Sequence, residues 1–135
     1  MNPVQARLIL AAGLASSPPL TLTAQELSLQ AWLVVSVAGE AVAAQPPATF
    51  RFDADGRVSG STGCNRFMAS YIREGERLRI LQASGTRMAC PASLMAQEQR
   101  FLSALGEVTR VEPAGQGALI LAGERGELFR LVPLR

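Results

Sequence analysis

The chain has 135 residues, 48% of them hydrophobic, which suits one domain with a single apolar core and no need of a metal or a second subunit. Its 13 cationic side chains are all arginines, spread along the chain against 11 acids for a formal net charge of +2. Histidine and lysine are both absent, which excludes the commonest general base, the commonest metal ligand, a Schiff-base nucleophile and any Ser-His-Asp or Cys-His site built from this chain alone.

Residues 1–24 read as a Sec-type signal peptide and spacer. Arg7 supplies a positive charge, Leu8 to Leu14 is a short apolar run, and Gly13-Leu14-Ala15 offers small residues around a cleavage point, with a second such point after Ala24. The run is too short to span a bilayer, which takes roughly 20 apolar residues. No cysteine follows it, so a soluble periplasmic or secreted protein is expected rather than a lipid-anchored one. The folded domain is expected over 26–135.

Trp32 to Val37 is a β-branched apolar run and reads as the first strand, followed by an Ala- and Pro-rich loop from Gly39 to Pro47. Thr49 to Asp53 alternates, with Phe50 and Phe52 on one face. It turns through Asp53-Ala54-Asp55-Gly56 into Arg57 to Ser61, as a hairpin should. Phe67 to Arg73 and Arg77 to Leu81 form a second hairpin around Glu74-Gly75-Glu76, with Leu78 and Ile80 inward. Pro91 to Leu105 has helical spacing at Leu94, Met95, Phe101, Leu102 and Leu105; Pro91 suits the first helical position and Gly106 the stop. Thr109 to Glu112, Ala118 to Leu121 and Leu128 to Val132 are three more short strands. The sum is an α+β fold, a mostly antiparallel sheet with one helix.

Cys64 and Cys90 are the only cysteines, so in an oxidising compartment their pairing is unambiguous; buried free thiols are the alternative. Two cysteines without histidine leave a zinc site unfilled. Asp53-Ala54-Asp55-Gly56 has the look of a calcium loop, but Cys64 stands at its twelfth position where a bidentate glutamate is needed, so a hairpin turn is the reading. Trp32 and Tyr71 read as core aromatics, and Asn65 as the support of a tight turn.

Several segments in order resemble the META domain family typified by HslJ-like bacterial envelope heat-shock proteins. They are Trp32, Phe50-Arg51-Phe52, Gly56 to Gly60, Gly63-Cys64-Asn65-Arg66-Phe67 with Tyr71, Thr86 to Cys90, and then Met95, Glu98, Phe101, Leu102 and Leu105. The resemblance covers Leu29 to Pro133. It implies a curved sheet like a partly open barrel with a helix packed at its mouth, an envelope location, and links to heat stress and antibiotic tolerance. It brings no catalytic activity and no cofactor.

Glu98 lies on the apolar side of the helix, where a carboxylate must find a partner or take up a proton. Arg66 and Arg87 flank the two cysteines, so a buried ion pair from one of them to Glu98 is expected. The functional expectation is a non-enzymatic, monomeric envelope interaction or structural factor, whose partner is another envelope protein or an apolar ligand. The alternative is a small-molecule or lipid carrier using the open end of the half-barrel. With the arginines so dispersed, no nucleic-acid partner is expected.

Overall fold

The computed structural model describes residues 27–134; the signal-peptide reading lies outside the described residues. In chain order the elements are β1 (Ala31–Val37), β2 (Glu40–Ala41), β3 (Thr49–Phe52), β4 (Arg57–Ser61), β5 (Arg66–Glu74), β6 (Arg77–Gly85), α1 (Ala92–Glu107), β7 (Arg110–Pro113), β8 (Leu119–Gly123) and β9 (Gly126–Pro133). The nine strands form one antiparallel sheet in the order β2-β1-β3-β4-β5-β6-β7-β8-β9, and β1 also pairs with β9, so the sheet rings.

The ring is not a regular barrel. β6 meets β7 at one register position, Arg77 opposite Arg110, and between the two strands the chain forms α1, which packs against β6, β1 and β9. β1 is the shared strand. Its first half pairs with β3, its end with β2, and its length with β9, where a register shift between Val34 and Ser36 lets both Val34 and Val37 face inward.

The expected alternation holds along β3, β4 and the first part of β5 and β6, where Phe50, Phe52, Val58, Phe67 and Leu78 are buried beside outward arginines. β8 and β9 instead bury consecutive residues, Leu121 with Ala122 and Leu128 with Phe129. Phe101 of α1 enters the ring and meets Phe50, Phe67 and Phe129 at centroid distances of 5.4, 5.3 and 5.0 Å. Each such phenyl removes enough apolar surface from water to contribute about 1.5–3 kcal/mol. Trp32 is buried and donates its indole N–H to the Leu27 carbonyl.

Most strand ends shift by one or two residues from the sequence-based expectation, the expected Gly39–Pro47 loop contains the short strand β2, and the shifts at α1 and β6 have physical causes. Pro91 sits one residue earlier than expected, as the N-cap, and its carbonyl accepts from Leu94 and Met95. The helix runs past Gly106 to Glu107 and ends at Val108. β6 continues beyond Leu81 to Gly85, because a bulge at Gln82 (φ 57°) lets the strand stay paired with β5.

Tyr71 packs its ring edge-on against Phe52 and donates its hydroxyl to the Asp53 carbonyl, pinning the β3–β4 hairpin. Burial pushes its pKa above the ordinary 10.0, assisted by Asp53 and Asp55 and opposed by Arg73. The folded state therefore holds the phenol proton at pH values where the unfolded chain has lost it, so stability falls as pH rises above about 10. Tyr71 is the only tyrosine, so absorbance at the phenolate band reads it directly. The expected result is a midpoint above that of the urea-unfolded chain; coincident midpoints would contradict it.

Candidate functional site

The turn from Thr62 to Asn65, between β4 and β5, is held by two adjacent helix residues. Gly63 has φ 98°, a conformation that L side chains rarely adopt, and a Cβ there would come 2.5 Å from Gln97 Nε2. Gln97 is buried. Its Nε2 donates to the Thr62 carbonyl (2.8 Å), and its Oε1 accepts from the Ala43 N–H (2.9 Å), joining the turn to the β2–β3 loop.

Glu98 holds the same turn from its other side. One carboxylate oxygen accepts from Thr62 Oγ1 (2.8 Å) and the other from Asn65 Nδ2 (3.2 Å). Thr62 Oγ1 in turn accepts the N–H groups of Cys64 and Asn65. Asn65, also buried, uses its whole amide. Its Oδ1 accepts from Thr86 Oγ1 (2.9 Å) and Met88 N (2.7 Å), while its Nδ2 also donates to the Met88 carbonyl (3.2 Å). The disulfide Cys64–Cys90, spanning 26 positions, ties the same turn to the start of α1.

The expected ion pair is corrected. Among the described residues no salt bridge reaches Glu98; a hydroxyl and an amide take the places given to Arg66 and Arg87. Arg66 begins β5 in an outward position, one step out of phase with inward Asn65 and Phe67. Arg87 lies exposed between Thr86 and Met88, the two residues that Asn65 grips. Asn65 is therefore more than a local turn support, since it bridges three separated segments. Gln97 escaped sequence reading although it lies in phase with Phe101, Ala104 and Leu105, the residues that α1 buries.

The other side of the expected helix stripe is open. Met95 is 38% exposed and Leu102 43%, and they face Met88 (57%) across a groove of about 390 Å³ between α1 and the end of β6. Phe67, Arg66 and Arg87 complete its walls, with Glu98 and Asn65 at its polar side. Met95 Sδ lies 3.8 Å from Cys64 Sγ, so the bridge backs one of the side chains that line the groove. Among the described residues β6 has no strand neighbour on this side beyond Arg77, and its last residues, Ala83 to Gly85, lie along the groove.

A ringed antiparallel sheet plugged by one helix, with a disulfide-clasped groove beside the plug, defines an α+β class of small domain. The META domain family model matches residues 25–134, and the chain belongs to that family. Among solved structures it is similar to a protein from Burkholderia xenovorans (25% identity, 89% of this chain and 93% of that one, TM-score 0.65). A second protein solved by NMR is similar at 24% identity (83% and 95% covered, TM-score 0.68), and a DUF4847 family protein from Bacteroides vulgatus shares the fold at 18% identity (81% and 95%, TM-score 0.56). No curated protein matches the chain.

Proposed function

We propose that this META domain is a non-catalytic cell-envelope interaction factor, exported to the periplasm, that holds an extended segment of a partner envelope protein in the groove between α1 and β6. The stress and antibiotic-tolerance setting follows from the family resemblance. The observation that carries the reading is the pairing of an open strand edge with exposed Met88, Met95 and Leu102, which is how added strands are recognised: backbone bonds give affinity and side-chain pockets give selectivity. Thioethers suit such a wall because they adapt to differing side chains. The Cys64–Cys90 bridge supports an oxidising compartment. A non-catalytic role is supported by the Thr62, Asn65 and Glu98 polar atoms, which are directed at other protein groups.

Photo-crosslinkers placed at Met88 and at Arg125, on the far side, test the reading in the periplasm. A discrete protein adduct at Met88 and none at Arg125 is expected. Equal labelling, or none at either position, would overturn it, as would hydrolysis of a general substrate panel lost on Glu98→Gln.

The carrier reading is favoured by Arg66 and Arg87 beside the apolar wall, which would hold the anionic head of a small amphiphile. A retained ligand in the native mass of protein isolated from its envelope would select it.

A further inference from the structure

The arginines look scattered in sequence, but strand register collects them. On the outer face of β3 to β6, Arg51, Arg57, Arg66, Arg77 and Arg79 all occupy outward positions, against Glu74 opposite Arg77 and, at the edge of the face, Asp53 and Asp55 of the β3–β4 turn. Arg51 has Asp53 at 3.9 Å. The other four have no ion-pair partner among the described residues. The opposite half of the molecule is balanced: Arg100, Arg110 and Arg130 pair with Glu40, Glu112 and Glu127 at 3.2, 3.4 and 2.8 Å.

Two large apolar side chains stand among these guanidiniums. Met68 (57% exposed) and Ile72 (61%) lie on one line along β5. Ile72 is directly opposite Arg79 on β6, and Ser70, between the two, is opposite Arg57 on β4. At the Met68 end the face is hollowed, a concavity of about 710 Å³ with Arg51 and Arg66 in its walls and exposed Leu134 at its side.

We infer that this face is a docking surface for an anionic phospholipid bilayer. Unpaired guanidiniums bind phosphate oxygens two at a time, and aliphatic or thioether side chains between them are accommodated at the boundary of headgroup and acyl chain. A nucleic acid fits the face less well, because single-strand binders present aromatic rings for stacking and here the phenylalanines and Trp32 are buried inside the ring. The surface lies on the outside of the sheet, with Arg57, Ile72 and Arg79 outside the α1–β6 groove, so the two sites can be separated by experiment.

The test is sedimentation of the full chain with vesicles of phosphatidylcholine and phosphatidylglycerol in equal parts, against pure phosphatidylcholine. Binding to the anionic vesicles alone is expected, weakening with salt as exposed charges are screened. With about a fivefold loss per basic residue, Arg57→Gln with Arg79→Gln should bind about twentyfold more weakly. Ile72→Ser, which leaves the charge unchanged, should also weaken binding, and both variants should keep the parent melting temperature. Equal binding to both vesicle types, or variants that bind like the parent, would overturn the inference. So would tighter binding to duplex DNA that Ile72→Ser leaves intact, which would reassign the face to a nucleic acid. Crosslinking at Met88 is independent of every one of these outcomes.

Discussion

Replacing Cys64 and Cys90 together by serine should lower the free energy of unfolding by about 3.5 kcal/mol, the chain-entropy value for a closed loop of this size. For a domain of this length that corresponds to a melting temperature about 15 °C lower. The bridge joins the Thr62–Asn65 turn to the start of α1, but the Asn65 and Glu98 hydrogen bonds join the same segments by a separate route. The double variant should therefore fold, with Trp32 still buried and its fluorescence unshifted, and melt earlier. The parent protein should fall to the same midpoint when reductant is added. A midpoint unmoved by reductant and by substitution would mean that the turn and helix are already held as tightly in the thiol form, leaving the bridge without a stabilising role.

Period-two alternation carries β3, β4 and the first part of β5 and β6 without ambiguity, since Phe50, Phe52, Val58, Phe67, Leu78 and Ile80 each sit one residue from a polar neighbour. It fails at Gln82 to Gly85 for a physical reason: both faces are exposed there, and the bulge breaks the period. It fails on α1 because apolar spacing identifies a stripe without saying how much of it is covered. Phe101 and Leu105 are buried, whereas Met95 and Leu102, on the same stripe, line an open groove. Glu98 was legible as a carboxylate needing partners, but not which ones. Sequence favours the opposite charge, while the fold brings Thr62 and Asn65 within reach on inward positions and leaves Arg66 and Arg87 outward. The cationic face was not legible in the sequence: alternation makes Arg57, Arg77 and Arg79 outward, but only register sets Arg57 and Arg79 on the two flanks of β5, opposite Ser70 and Ile72.

Asn65→Asp should destabilise the domain by about 3 to 5 kcal/mol at pH 7, the cost of an unpaired buried charge, although the two side chains have nearly the same shape. The Oδ1 bonds from Thr86 and Met88 can survive the change. The donor that served the Met88 carbonyl and Glu98 Oε2, each at 3.2 Å, becomes an acceptor facing two acceptors, one of them a carboxylate. That arrangement raises the folded-state pKa of the introduced carboxyl above its unfolded value of about 3.9. The folded state then binds the extra proton, so the deficit is smallest below about pH 4 and grows as pH rises through the raised pKa. Asn65→Ala loses all four of these amide bonds without a new charge, and its deficit, about 4 kcal/mol from about 1 kcal/mol per hydrogen bond, should be flat across that range. Adding Glu98→Gln to Asn65→Asp exchanges amide and carboxylate across the contact and restores one donor, so part of the loss should return. Urea titrations of the parent, both single variants and the exchanged pair form a double-mutant cycle. A coupling near zero, or parallel pH profiles for the aspartate and alanine variants, would mean that the Asn65–Glu98 contact does not hold the turn to α1.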